Sequence, residues 1–282
     1  MRPLLSVLAL AGVAFPTGRS EGLFLMLRAY FDDSGSGADS EVAVVAGLIG
    51  TVQQWSIFEH EWGQRLADPL PGYNKPPLRM FHLSPCNARD GEFREYNDAE
   101  CNAVTHDFRQ IIIRSGLIST SSAIDRRAWD DLVVGKARKW LGNAIDVCIE
   151  NCVKRAIENA SSLPDSDLMA VVFDQGMWTQ RRQEFADFDV SRLTHRPQIV
   201  SVTYAQVVDV FPLQGADIAA TENYWYAIRL MRDGVGAQPR AHMAHYLKNM
   251  IAEGFMIDRS RIAEMLPRLL AKADQLEADG DE

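Results

Sequence analysis

Cysteine is scarce in this chain. Four residues in 282, Cys86, Cys101, Cys148 and Cys152, make no Cys-x-x-Cys pair and fall far short of the density of a secreted disulfide scaffold. Cys148 and Cys152 lie one helical turn apart, as two small residues on one packed stripe would. Positive charge is also short: 29 Lys and Arg against 38 Asp and Glu leave a formal net charge of -9. That balance argues against a broad non-specific nucleic-acid surface, which draws on Lys and Arg. It leaves room for a local basic track, with Arg126, Arg127, Lys136, Arg138, Lys139, Arg181, Arg182, Arg192, His195 and Arg196 as candidates, although scattered pairs of this kind also serve as solvated faces. No Gly-x-Ser-x-Gly elbow, Walker loop or dinucleotide fingerprint occurs, so nucleophilic-serine and nucleotide-cofactor chemistry are poorly supported. A haloacid-dehalogenase-type phosphatase needs a second Asp two positions after the first, and Ser34 stands there.

Long apolar runs are missing too. The one at the start, Leu4 to Phe15 after Met1-Arg2-Pro3, is too short to span a bilayer. It has the outline of a secretory signal, with Gly12-Val13-Ala14 before a possible cleavage point. The first convincing strand opens at Met26, however, so residues 1–25 are expected to be a dispensable extension, signal-like or a start assigned too far upstream. The expected compartment is the cytoplasm, with export the alternative if residues 1–25 act as a signal. The remainder is expected to be a domain over 26–235 with C-terminal helices and an acidic tail, 236–282, packed on it. A hydrophobic content of 47% with 24% charge suits one substantial core.

The periodicities give elements in mixed order. Strands are expected over Met26 to Asp33, Glu41 to Ile49, Leu117 to Ile124, Leu168 to Asp174 and Gln198 to Tyr204, the first two forming a hairpin about Ser34-Gly35-Ser36-Gly37. Helices are expected from Thr51 as cap to Ala67 (with Trp55, Phe58, Trp62 and Leu66 at helical spacing), Asn97 to Ser115, Val134 to Asn159, Arg181 to Phe188, Pro212 to Arg232, Arg240 to Glu253 and Asp258 to Leu276. Pro212 suits a first helical turn.

Three acids stand out on this framework. Asp32 in Tyr30-Phe31-Asp32-Asp33-Ser34-Gly35 and Asp174 in Val171-Val172-Phe173-Asp174-Gln175-Gly176 end apolar strands, and Asp217 sits inside an apolar helix. An unpaired carboxylate is costly in such places. Asp32 and Asp33 point to opposite faces of a strand. On the helical wheel Gln214 and Thr221 neighbour Asp217, whereas Glu222 lies roughly 140° away. Carboxylates gathered this way fit a magnesium or manganese site, since oxygen-only ligands favour hard cations over zinc. The expected metal ligands and catalytic groups are therefore Asp32, Asp174 and Asp217, with Asp33, Gln175, Gln214 and Thr221 around them. His82, after a Pro-rich loop, is the candidate proton shuttle or phosphate contact. The bland readings are turn caps for Asp32 and Asp174, a buried hydrogen-bonding acid for Asp217, and a hydrogen-bonded core histidine for His82. His242 and His245 could share a helical face, and Tyr224-Trp225-Tyr226 could stack on bases or pack in the core.

A strand pair carrying Asp32, a later strand ending in Asp174 and a helix pressing Asp217 onto the sheet make a ribonuclease H-like α/β arrangement, a mixed sheet flanked by helices. The chain also resembles the family catalogued as domain of unknown function 3800. Phe31-Asp32-Asp33-Ser34-Gly35 is similar to its opening "DESG" strand, Phe173-Asp174-Gln175 to its "FDE" strand, and Pro212-Leu213-Gln214-Gly215-Ala216-Asp217 to its "PLLQIAD" helix; Phe81-His82 and Gly91-Glu92-Phe93 resemble its middle segment. The resemblance spans about Met26 to Arg232. It implies a ribonuclease H-like fold and a metal-dependent nuclease with nucleic acid as partner. Asp33 stands where Glu is usual, keeping the charge on a shorter arm. Gln175 stands where an acid often follows, which removes a possible ligand or base and leaves open a weakened site on a binding or sensing protein, for instance one in mobile-element defence.

Overall fold

The computed structural model describes residues 27–35, 37, 39–160, 168–176, 193 and 196–280. Residues 1–25 and the helix expected over Arg181 to Phe188 lie outside them. The described strands form one six-stranded sheet. β1 (Leu27–Ser34), β2 (Val42–Thr51) and β3 (Ile118–Asp125) make an antiparallel meander. β4 (Met169–Asp174) adds parallel to β1, and β5 (Ile199–Ala205) parallel to β4. β6 (Ala252–Ile257) adds parallel to β3 on the far side, giving the order β5-β4-β1-β2-β3-β6. This is the mixed α/β, ribonuclease H-like sheet expected from the sequence.

Both sheet faces are covered, which is why β2 reads as a nearly unbroken apolar run. On one face lie α1 (Val52–Ala67), α3 (Asp98–Arg114), α7 (Phe211–Asp233) and α8 (Ala241–Asn249), packed over Tyr30, Ala46, Leu48 and Val172. On the other face α4 (Arg126–Leu132), α5 (Gly135–Leu141), α6 (Ala144–Ala160) and α9 (Arg259–Gly280) cover Leu27, Ala29, Phe31, Val171 and Phe173. Gly47 is required here: a Cβ would strike the Phe31 ring and the Tyr30 carbonyl.

Local chemistry sets the helix boundaries. Thr51 starts α1 through a reciprocal capping box, its Oγ1 accepting from Gln54 N at 3.2 Å while Gln54 Oε1 accepts from Thr51 N at 2.9 Å. Asn97 and Glu100 do the same for α3. Two expectations need correction. The helix expected over Val134 to Asn159 is two helices, because Gly142 takes a left-handed φ of 75° and the Asp146 carboxylate then caps the new start by accepting from Asn143 N at 2.7 Å. The helix expected over Arg240 to Glu253 stops at Asn249, and the following residues become β6, which finds a partner in β3. Between α1 and α3 a loop leads to His82, which takes the N-cap position of a short α2 (Leu83–Ala88). None of the helices among the described residues is long and apolar enough to cross a membrane.

Candidate functional site

Strand register sets the first two acids side by side. Phe31 pairs with Phe173 across the parallel β1–β4 ladder, and their rings stack 5.4 Å apart on the α6 face. The residues that follow, Asp32 and Asp174, therefore turn to the opposite face at the C-terminal ends of two adjacent parallel strands, where α/β sheets bind their ligands. Asp33 turns the other way, toward Cys148 on α6, whose thiol feels its charge.

Asp217 reaches the same place from α7, which packs across β1 and β2. Its side chain is 5% exposed. Oδ2 accepts from Leu83 N at 2.9 Å, and Oδ1 lies 3.0 Å from Nε2 of His82, whose ring is half-exposed. Asp174 Oδ1 accepts from Val207 N at 3.2 Å, and Gly176 leaves room for its Oδ2, which a Cβ there would strike.

The electrostatics follow from this crowding. Burial, then the charges of Asp217, Asp33 and Asp174, push the Asp32 carboxyl well above the usual carboxylate range, with the Asp33 N–H bound to Oδ1 at 2.8 Å acting the other way. For His82, burial works against the protonated ring, but the hydrogen bond and charge of Asp217, together with the charge of Asp174, outweigh it and raise its pKa. The four groups thus sense one another although they come from β1, β4, α7 and the segment before α2.

The surrounding residues divide. Gln214, fully buried, is spent on architecture: its Oε1 accepts from Trp62 Nε1 and from Phe81 N, each at 2.9 Å, and its Nε2 donates to Val207 O at 3.1 Å. It fixes the segments that carry His82 and cap Asp174. Thr221 is half-buried one turn beyond Asp217, and Gln175 is exposed at the end of β4. Glu222, on the far side of α7, forms a buried ion pair with Arg109 of α3.

Other candidates do not assemble. Tyr224 accepts from Ser40 Oγ at 3.2 Å, Trp225 lies under the Arg240 guanidinium at 4.5 Å, and Tyr226 lines a cavity on the other side of α7, so they form no common stacking platform. Arg127, Lys136 and Arg138 pair with Glu41, Asp274 and Asp130; Arg181, Arg182, Arg192 and His195 lie outside the described residues. His245 meets Gln110 and Asn249, while burial and then Arg109 lower the pKa of His242. What the sequence reading missed are main-chain donors, Leu83 N and Val207 N, and the Arg109–Glu222 pair, whose partners are 113 residues apart.

The donor chemistry suits a hard divalent cation: carboxylate oxygens in excess of nearby positive charge around Asp32. As they stand, however, no three His, Cys, Asp or Glu side chains among the described residues are arranged to hold a metal ion. Asp217 in particular has one oxygen on Leu83 N and the other beside His82.

No family model and no curated protein matches the chain. A solved structure described as the complex of PCNA and RNase HII from Archaeoglobus fulgidus is similar over 79% of this chain and 87% of that one, with a TM-score of 0.35 and 13% identity. A likeness this loose carries no argument about activity.

Proposed function

We propose that the protein is a divalent-cation-dependent nuclease hydrolysing phosphodiester bonds of DNA or RNA. The observation that supports this best is the meeting of Asp32, Asp174 and Asp217, from two parallel strand ends and a helix, on one face of a ribonuclease H-like sheet. The resemblance to the domain of unknown function 3800 family points the same way.

On this reading Asp32, Asp174 and Asp217 would hold Mg²⁺ or Mn²⁺, the expected cofactor, which supplies an activated water and stabilises the leaving oxygen. Asp32 contributes a part-exposed carboxylate whose repulsion from its neighbours a cation relieves. The Val207 and Leu83 amides hold Asp174 and Asp217 in orientation. His82, held by Asp217 and open to solvent on its other side, is placed to hand a proton to the leaving oxygen or to contact a phosphate. Asp33, on the other face, takes no part.

A second reading is favoured by one observation, that the acids do not yet stand as a ligand set. A ribonuclease H-like protein that binds nucleic acid without cutting it would also look like this, and Gln175 in place of an acid suits it. A panel of labelled single- and double-stranded DNA, RNA and hybrid substrates, incubated with Mg²⁺, Mn²⁺ or chelator, separates the two. The nuclease reading requires cation-dependent cleavage that Asp217→Asn removes. Binding of the same substrates without cleavage under any of these conditions selects the second.

A further inference from the structure

Across the sheet, Asp32 pairs with Ala46, Ala46 with Ser121 and Ser121 with Gly254, so these four residues make one row on the α7 face. α7 lies over the middle of that row. The acids occupy one flank of the helix; on the other flank, roughly 10 Å from Asp32 at two strand spacings, is a cavity of about 350 Å³ bounded by the C-terminal half of α7, by α8 and by β3 and β6.

Its lining is chemically one-sided. Ala227, Leu230, Met243 and Met256 make apolar walls, Ser119 and Ser121 form the floor, and Glu253, exposed, is the charged residue at its border. At one end sits Tyr246, 1% exposed, whose hydroxyl lies by the Ser119 side chain yet reaches no partner in hydrogen-bond geometry. A buried hydroxyl left in this state is costly and calls for an occupant. Water is a poor one: the volume corresponds to on the order of ten molecules, and apolar walls would leave most of them without partners. The size falls in the range of small-ligand sites. An anionic occupant is excluded by its desolvation cost, since no positive charge lines the cavity, and Glu253 is exposed at the border, where water and not a buried cation is its partner.

We infer that this cavity is a binding site for a small uncharged aromatic molecule bearing one hydrogen-bonding group, its ring among Met243, Met256 and Tyr226 and its polar end on Tyr246, Ser119 and Ser121. The site is separate from the acids and does not depend on the nuclease reading.

The test uses the full chain, with p-cresol and indole as probes, p-hydroxybenzoate as the charged control and toluene as the control without a polar group. Binding is read by saturation-transfer NMR and by thermal shift. p-Cresol and indole should bind and raise Tm, p-hydroxybenzoate should do neither, and Leu230→Trp, which fills the cavity, should abolish the effect. Tyr246→Phe keeps the shape and removes the hydroxyl, so it should weaken p-cresol about fivefold and leave toluene unchanged; this holds the test open if Leu230→Trp fails to fold. The inference is overturned if neither probe binds, if p-hydroxybenzoate binds equally well, or if p-cresol binding is indifferent to both variants.

Discussion

His82 Nε2 lies 3.0 Å from Asp217 Oδ1, and the other oxygen of the same carboxylate accepts from the Leu83 amide, the next residue in the chain. One helical acid therefore fixes both a titratable ring and the backbone that carries it. Since Asp217 and Asp174 raise the His82 pKa, the protonated ring stabilises the folded state. That contribution is complete below the unfolded value of about 6.5 and is lost as pH rises through the higher folded value. An NMR titration of the ring should give a midpoint above that of a free histidine. Asp217→Asn should lower it, and saturating Mg²⁺ should lower it as well, because a cation on the carboxylates cancels the field that holds the proton. A midpoint at the free value would sink the pairing.

Asp217→Asn should take cleavage to background and weaken Mn²⁺ binding, while the amide oxygen keeps the Leu83 contact and the fold survives. At a pH above the His82 midpoint, where the ring is neutral, the metal-free Tm should rise slightly, because Asp32 and Asp174 lose a like charge. Asp33→Asn should be far milder, since that side chain faces α6. If calorimetry finds Mn²⁺ affinity intact in Asp217→Asn, the residue is a structural acid.

Gln214→Leu keeps the volume and removes every hydrogen bond of the amide. Trp62 Nε1, Phe81 N and Val207 O would lose a buried partner together, so urea denaturation should show a loss of about 3 kcal/mol or more. A loss well under about 1 kcal/mol would mean that water replaces the amide without strain.

Arg109→Met leaves Glu222 buried and charged, and should cost about 3–5 kcal/mol. Adding Glu222→Leu should restore most of it. A double variant no more stable than the single would show that the pair holds α3 to α7 by more than cancelling its own charge.

Much of this was legible in the sequence. Strand alternation separated Asp32 from Asp33, and a cap followed by Trp55, Phe58, Trp62 and Leu66 gave α1. Apolar flanks marked Asp217 as inward-facing. What escaped depends on distant partners. Residues 252–257, Ala-Glu-Gly-Phe-Met-Ile, open on weak strand formers and show no alternation that announces a strand until β3 stands beside them, and Gly142 was lost within a helical periodicity that continues on both sides. Gln214, placed near Asp217 by the wheel, turned out to serve the core, because its partners, an indole and two main-chain groups, carry no sequence signal. The Asp174 cap comes from Val207, also a backbone group.

The polar contacts of α7 also bear on how the molecule opens. Phe81 lies in the loop before α2 and Leu83 opens that short helix, so neither amide has a partner in regular structure of its own, yet they end on Gln214 and Asp217 in the first two turns of a 23-residue helix. Solvent can reach those two amides only when the segment carrying them parts from α7. Their hydrogen exchange should therefore be as slow as that of the helix beneath them and should slow and quicken with it, making this segment part of the same opening unit, loop-like in shape but helix-like in the free energy needed to expose it.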